Sequence, residues 1–191
     1  MRGAALIDVV FTCGLVALIS MIAIPSLRVA RDRDAARMAA QHLAARLHAV
    51  RLEALRRNRA VAIRFDPDAL GRMASYVDGD GDGVQQSDID RGVDTRIGEE
   101  RALSDDFGLV ALRVASTVPA PDGGSAIAAD SDPVRIGNTD LLSFSPLGSA
   151  TSGTIYLAAR TGPQVCVRVL GATGRVRVMW FDTASRTWRT D

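Results

Sequence analysis

The chain has 191 residues, 47% of them hydrophobic, and a formal net charge of +1 at pH 7. This length allows one globular domain with a sizeable core beside an apolar N-terminal segment. The charges are distributed unevenly despite the low net charge. Residues 28–59 contain nine Arg and three acids, whereas residues 66–106 contain twelve acids and four Arg. Two surfaces of opposite sign are therefore expected. The wide separation of Cys13 and Cys166 excludes a fold stapled by disulfides.

The first element is an apolar run from Ala4 to Leu27. As an α-helix it would be about 36 Å long at about 1.5 Å per residue, which is enough to cross a hydrocarbon core of about 30 Å. The run contains one carboxylate, Asp8, whose insertion at depth costs about 2.5 to 3.5 kcal/mol and less near an end. We predict a transmembrane helix over residues 4–27 in which Asp8 meets a cation. A plain membrane anchor with an incidental acid is the alternative.

The sequence after Pro25 predicts that the helix continues as an amphipathic segment over residues 28–58. Pro25 removes the hydrogen bond to the Met21 carbonyl, so the helix is expected to bend there. Apolar residues then recur at spacings of three and four, which predicts a narrow seam that packs on a sheet or a neighbouring helix. The seam consists of Ala36, Ala40, Leu43, Leu47, Val50 and Ala54. His42 and His48 lie on different helix faces and are interpreted as surface or seam residues.

Beyond the helix, the hydrophobic period changes to two, which is typical of strands separated by Gly, Pro, Asp and Ser turns. Residues 59–191 are therefore expected to form an antiparallel β domain, and the fold class is predicted as α+β. The expected strands cover residues 60–65, 73–77, 107–114, 141–145, 154–158, 165–170 and 175–181. Cys166 alternates with valines in one of them, which favours a buried or half-buried thiol over a nucleophile.

The N-terminal residues carry a resemblance to a known family. Gly3, then Ala4 and Asp8, an apolar helix and Pro25 resemble the class III signal of type IV prepilins and type II secretion pseudopilins. The resemblance implies that a prepilin peptidase cleaves after Gly3 and methylates the new amine of Ala4, so that residues 1–3 are a leader peptide. Asp8 and Pro25 would then be assembly residues, with Asp8 pairing with the amine of a neighbouring subunit.

A second resemblance covers the distal part of the chain. The stretch "LLSFSPLGSATSGTIYLAARTGPQVCVRVLGATGRVRV", residues 141–178, resembles the distal domain of the GspH/FimT branch of pseudopilins. It implies a pilin-like fold and a place at or near the tip of a type II secretion pseudopilus or a type IV pilus. The implied partners are other pseudopilins or pilins, the prepilin peptidase, an inner-membrane assembly platform and a secreted substrate. Arginines after the span favour a cytoplasmic domain by the positive-inside rule, whereas the resemblance implies a periplasmic one, which we adopt.

An acidic loop is a candidate metal site. In "DGDGDGVQQSDID", Asp78, Asp80 and Asp82 alternate before Gly83, as in the first half of an oxygen-rich Ca²⁺ loop. The twelfth loop position is Ile89 rather than a carboxylate. Ca²⁺ binding and a solvated Asp/Gly turn are therefore both retained, and no other cofactor is indicated.

An arginine-rich hairpin is the other candidate site. If Gly171 to Gly174 form a four-residue loop, Arg168 faces Arg177 across the strand pair, beside Arg175. Like charges in that position favour an open or anion-facing surface. Gly174, Arg175 and Arg177 match a G-R-x-R pattern that resembles the DNA-contacting motif of FimT-type minor pilins from competence systems. A DNA-binding uptake pilin is therefore the alternative function, whereas no constellation of residues predicts an enzyme.

Overall fold

The computed structural model describes residues 2–66 and 71–190, with the side chains of residues 2–7 and 22–25 excepted. Helix α1 (Arg2–Arg57) is a single element that includes the predicted span and its continuation. It ends at Asn58, which adopts a left-handed backbone conformation with φ of 52°. The N–H of Asn58 donates to the Leu55 carbonyl and that of Arg59 to the Ala54 carbonyl, both at 3.3 Å. This Schellman arrangement satisfies the last helical carbonyls and confirms the predicted helix end.

The strands and short helices follow α1 along the chain. They are β1 (Val61–Asp66), β2 (Arg72–Val77), α2 (Gln86–Arg91), β3 (Thr95–Ala102), α3 (Leu103–Asp106), β4 (Val110–Leu112), β5 (Val134–Arg135), β6 (Leu141–Phe144), β7 (Gly153–Ala159), β8 (Val165–Leu170), β9 (Arg175–Asp182) and β10 (Thr187–Thr190). The long N-terminal helix and the antiparallel strands that follow it confirm the predicted α+β fold class.

The described strands form two antiparallel sheets. Sheet A has the order β3-β2-β1-β6, and sheet B has the order β10-β9-β8-β7-β4. The short strand β5 pairs with β7 beside β4, since Val134 is opposite Ile155 while Val110 is opposite Ala159. In sheet B, β7 to β10 are consecutive along the chain and short connections join them, whereas the connection between β2 and β3 of sheet A contains α2. Strands distant in sequence also pair: β6 pairs with β1, and β4 and β5 both pair with β7.

The second half of α1 packs across both sheets and supplies one side of the core. All six residues of the predicted seam are buried, together with Ala39 and Ala44. They contact inward-facing side chains of both sheets, among them Ile63 and Phe144 of sheet A and Ile155 and Val167 of sheet B. The small alanines allow the helix to approach the strands closely, so the helix and the β domain share one hydrophobic core.

A second, smaller core lies on the outer face of sheet B, away from α1. Tyr156, Cys166 and Phe181 are buried there beneath residues 113–133, which we call the flap. The side chain of Gln164 holds the base of the flap, accepting from Ala115 N–H at 2.7 Å and donating to the Arg113 carbonyl at 2.9 Å. The Cys166 thiol is buried, as expected, and burial raises its pKa.

The strand prediction was wrong in detail between residues 86 and 114. Residues 107–114 were expected to be one strand, but only Val110–Leu112 is extended, and Leu103–Asp106 forms a helical turn before it. Strand Thr95–Ala102 was missed because its exposed, charged sequence "TRIGEERA" lies at the sheet edge and does not alternate. The short strands β5 and β10 were missed for a related reason, since each depends on a partner strand rather than on its own hydrophobic pattern.

Candidate functional site

The apolar part of α1 is exposed along its described length. Every described side chain in residues 8–21 is exposed except that of Ser20, which is half-buried. The large apolar ones are Val9, Val10, Phe11, Leu15, Val16, Leu18, Ile19 and Met21, with exposed fractions of 51 to 80%. Among the described residues, this is the one helix long and apolar enough to cross a membrane. Such a surface is stable only when lipid or other apolar helices cover it.

Asp8 lies on this exposed surface. The Thr12 hydroxyl lies 2.8 Å from the backbone carbonyl of Asp8 and 2.9 Å from that of Val9, so it donates to the backbone and not to the Asp8 carboxylate. Among the side chains that the structure describes, none forms an ion pair with Asp8. The predicted processing residues Gly3 and Ala4 and the side chain of Pro25 lie outside the described side chains. The helix backbone is nevertheless continuous through all three positions.

Two contacts fix α1 to the base of sheet B. The carboxylate of Asp32 accepts hydrogen bonds from the backbone N–H of Thr161 at 3.0 Å and from its hydroxyl at 2.5 Å. One turn further on, the Arg37 guanidinium lies 4.3 Å from the centre of the Trp180 ring. This cation–π contact and the carboxylate hydrogen bonds hold the helix in a defined orientation relative to the β domain.

The arginine hairpin has the predicted register. Strand β8 ends at Leu170 and β9 begins at Arg175, so Gly171 to Gly174 form the four-residue loop. Arg168 is directly opposite Arg177, as predicted. These two side chains and Arg175 point to the outer face of sheet B, because the alternating Val176 and Val178 pack on the core beside α1. The structure therefore brings the three predicted arginines onto one face.

Gly174 has a structural role that the motif did not reveal. Its φ is 58°, and a Cβ atom at this position would lie 2.6 Å from the Gly148 carbonyl oxygen. The hairpin loop thus packs directly on the "FSPLG" turn, where the Ala150 N–H donates to the Gly171 carbonyl at 2.7 Å. Arg51 of α1 reaches the same junction and donates to the Gly174 carbonyl at 3.4 Å. Gly174 therefore has a structural role in positioning the hairpin, whether or not the arginines bind a ligand.

Arg168 differs from the other two arginines because it already has an acidic partner. Its guanidinium lies 3.6 Å from the carboxylate of Asp122, which belongs to the tip of the flap. Arg175 and Arg177 are exposed and have no carboxylate partner in the described part of the chain. A further arginine, Arg135, lies on this face, since β5 places it opposite Thr154, which is opposite Arg168. The sequence analysis missed Arg135 because the two-residue strand that places it has no pattern of its own.

The acidic loop brings Asp78, Asp80 and Asp82 together. One carboxylate oxygen of each lies within 4.8 Å of the others, and this separation is compatible with Ca²⁺ ligands at about 2.3 to 2.6 Å from the ion. Asp78 is buried, and its carboxylate accepts from the N–H groups of Gly81 at 2.7 Å and Gly83 at 3.1 Å. Partial desolvation and the neighbouring Asp80 carboxyl raise the pKa of Asp82.

A second buried acid supports this loop and was not predicted. Asp94, which precedes β3, accepts from the N–H groups of Gly79 at 3.0 Å and Gln85 at 2.9 Å. Asp88, which could have supplied a later ligand, pairs instead with Arg91 on helix α2. Backbone N–H groups of the chain thus donate hydrogen bonds to the buried carboxylates of Asp78 and Asp94. Ca²⁺ binding stays a prediction that rests on the exposed Asp80 and Asp82.

Comparison with known proteins agrees with the resemblance in the sequence. The family model described as type II transport protein GspH matches residues 39–174, which include most of the β domain and the second half of α1. Among solved structures, the crystal structure of the minor pseudopilin EpsH from the type II secretion system of Vibrio cholerae is similar, with a TM-score of 0.41 and 16% sequence identity. The match covers 83% of this chain and 94% of that chain. Curated protein sequences gave no match.

Proposed function

Because the chain belongs to the GspH family of type II transport proteins, we propose that it is a minor pseudopilin of a type II secretion system. A prepilin peptidase cleaves it after Gly3 and methylates Ala4, and the helix that follows stays in the inner membrane. Residues 59–191 lie in the periplasm. The subunit enters a short filament at or near its tip, where it helps to start assembly or contacts a partner or an exported substrate. In this proposal the chain is a structural subunit, and the chemistry of processing belongs to the peptidase.

The observation that carries this proposal is the division of α1 into two halves. Residues 8–21 expose a continuous apolar surface, whereas the half that begins near Ala36 buries one face in the core of the β domain. The contacts of Asp32 with Thr161 join the two parts at the base of the domain. A continuous helix of this kind can pack its apolar half among other apolar helices while presenting the β domain outside the membrane.

Asp8 has a specific role in this proposal. After cleavage it would lie one helical turn from the new N-terminal amine, within an apolar surface that offers few other polar groups. A carboxylate in lipid is costly unless a cation pairs with it. We infer that the amine of a neighbouring pilin-like subunit supplies this cation, so that each subunit is held at a fixed height relative to the next.

The processing step can be tested by the intact mass of the full chain, extracted from membranes with and without a co-expressed prepilin peptidase. Loss of Met1 to Gly3, with or without an added methyl group, supports the proposal. An unprocessed chain in the presence of active peptidase, verified on a known substrate in the same cells, overturns it. The uncleaved sample serves as the mass reference.

The assembly role of Asp8 can be tested separately with Asp8→Asn in the full-length chain. We expect the variant to be processed and inserted normally but to co-purify less with other pseudopilins of the same system, since the neutral amide cannot pair with an amine. Asp34→Asn is the matched control, because Asp34 is an exposed acid on the same helix outside the apolar surface. Equal loss in both variants would argue against a specific role for Asp8.

A DNA-binding uptake pilin is the second candidate function. Arg175 and Arg177 favour it, since both are exposed, have no carboxylate partner among the described residues and could contact a phosphate backbone. The structural role of Gly174 weakens the motif on which it rests. The test is a gel shift with the full chain in detergent and a duplex oligonucleotide at several salt concentrations. A salt-sensitive shift that is lost in Arg175→Ala plus Arg177→Ala supports DNA binding, whereas binding that persists in the double variant assigns it elsewhere.

A further inference from the structure

The outer face of sheet B carries a row of side chains that runs across four neighbouring strands. Arg135 of β5 is opposite Thr154 of β7, Thr154 is opposite Arg168 of β8, and Arg168 is opposite Arg177 of β9. Residues directly opposite one another share a face of the sheet. With strands about 4.8 Å apart, the Cα atoms of the first and last arginines are separated by about 14 Å. Three arginines therefore occupy positions along one line on this face, which we call the arginine row.

The flap brings a carboxylate to the centre of this row. A two-way pair of hydrogen bonds between Val118 and Ile127, at 3.0 and 2.8 Å, closes the flap into a hairpin with Asp122 near its tip. Trp188 also holds the flap by donating from Nε1 to the Pro119 carbonyl at 2.7 Å. Asp122 is itself exposed, and its contact with Arg168 is a loose one at 3.6 Å. The flap is thus fixed at its base, whereas its tip is a solvated ion pair that another carboxylate can replace at little cost.

The space under the flap is large enough for a ligand. Between the flap tip and the strands lies a cavity of about 340 Å³, lined by Arg135, Arg168 and Asp122 together with Ser152, Thr154 and Tyr156. The outer arginines of the row, Arg135 and Arg177, have no carboxylate partner among the residues that the structure describes. Guanidinium groups form strong hydrogen bonds with anions. The neighbouring hydroxyl groups can donate further hydrogen bonds to the same anion.

We propose that the arginine row is a binding site for an acidic, extended peptide segment of a partner protein, and that Asp122 occupies its central position in the free chain. In an extended peptide, side chains at alternate positions share a face and are about 6.7 Å apart, so three of them span about 13 Å. This length matches the row. The proposal concerns the β domain and does not depend on processing or on filament assembly.

The charges on this face favour a peptide over a nucleic acid. Asp122 shows that a single carboxylate fits beside Arg168, and a peptide carboxylate can exchange with it one for one. The chain as a whole has a net charge of only +1, far from the strongly basic balance of typical nucleic-acid-binding domains. The anion already bound to Arg168 is a carboxylate on an extended loop, which is the same chemistry as the proposed ligand.

The binding test uses the full chain in a non-ionic detergent and a dye-labelled peptide in which three Asp residues alternate with Gly. The matched peptide with Asn in place of Asp is the control ligand. We expect fluorescence anisotropy to show saturable binding of the Asp peptide only. Arg135→Ala plus Arg177→Ala should weaken it by about tenfold or more, since each lost charged contact contributes on the order of a tenfold change. Arg96→Ala, an exposed arginine on sheet A, should leave it unchanged.

A second variant tests the site without removing any of its arginines. Asp122→Asn releases the central Arg168, so binding of the Asp peptide should become several-fold tighter, provided that the thermal melt shows an intact fold. Equal binding of the Asp and Asn peptides, or Asp-peptide affinities that do not change in either direction in these variants, overturns the proposal. A single-stranded oligonucleotide that binds tenfold more tightly than the Asp peptide, and that Arg135→Ala plus Arg177→Ala abolishes, assigns the row to nucleic acid instead.

Discussion

The carboxylate of Asp32 on α1 accepts two hydrogen bonds from Thr161, at the turn between β7 and β8. The two residues are separated by 129 positions in the chain. Their contact lies where the helix leaves the β domain, at the end from which the apolar half of α1 extends. It therefore helps to set the angle between the β domain and the apolar half of α1.

Asp32→Ala should loosen this junction. Loss of hydrogen bonds to a partly exposed carboxylate costs about 1 kcal/mol, which corresponds to a decrease in melting temperature of about 2 to 4 °C for a chain of this size. The measurement is a thermal melt followed by circular dichroism in detergent. Asp34→Ala is the control, since it removes the same charge from an exposed position nearby. Similar melting temperatures for the two variants would contradict a specific role for the contact.

Gly174→Ala should destabilise the hairpin that carries the arginines. A left-handed backbone costs a non-glycine residue about 1 to 2 kcal/mol, and here the added Cβ would also lie 2.6 Å from the Gly148 carbonyl oxygen. Gly123→Ala is the control because Gly123 also has a positive φ, of 79°, but has nothing within 4 Å of the added Cβ. We expect a larger decrease in melting temperature for Gly174→Ala. An equal decrease would show that the contact with the "FSPLG" turn is unimportant.

Cys166 should be protected from thiol reagents in the folded chain, because it is buried beneath the flap. In the detergent-solubilised chain, N-ethylmaleimide should therefore leave Cys166 unmodified, as read by the mass of the fragment that contains it. Cys13 lies on the apolar half of α1, which detergent covers, so the extent of its reaction does not bear on this prediction. Both thiols should react after denaturation, which serves as the positive control. Rapid modification of Cys166 without unfolding would mean that the flap opens readily.

Folding should also depend on pH through Cys166, because burial raises the pKa of its thiol. The unfolded chain releases this proton near pH 8.5, whereas the folded chain keeps it to a higher pH. The contribution of Cys166 to the free energy of unfolding should therefore be fully present below about pH 8 and decrease as the pH rises above that value. Between pH 7.5 and pH 9.5, the melting temperature should decrease less for Cys166→Ala than for the chain without this substitution. Equal losses would exclude this thiol as the cause.

The acidic loop separates a structural carboxylate from candidate cation ligands. Asp78→Ala should lower the melting temperature even in EDTA, because the variant leaves the N–H groups of Gly81 and Gly83 without their acceptor. Asp80→Asn should not change the melting temperature in EDTA, since Asp80 is exposed. If Ca²⁺ binds, its addition raises the melting temperature of the unmodified chain, and Asp80→Asn abolishes this increase. If Ca²⁺ does not raise the melting temperature, the loop is an Asp/Gly turn that is stable without a bound cation.

Local sequence patterns predicted most of the secondary structure. The apolar run, the spacing of the seam from Ala36 to Ala54 and the period of two in the later strands depend on neighbours a few residues apart, so they predicted the helix, its end and most strands. The register of the arginine hairpin was predictable for the same reason, because a four-residue loop fixes which residues are opposite. The motif residues Gly3, Ala4 and Asp8 indicated the family without any tertiary information.

Other features depend on contacts between distant segments, which no local pattern encodes. Strand β5 has two residues and exists because β7 offers it an open edge, so only the tertiary structure places Arg135 in line with Arg168. The flap has no periodicity, yet it places Asp122 on that row and buries Cys166. Gly174 matches a binding motif in the sequence, but in the structure the Gly148 carbonyl of another turn leaves no room for a side chain at this position. Local hydrophobic periodicity thus determined the elements, whereas long-range packing and backbone pairing decided which charges meet.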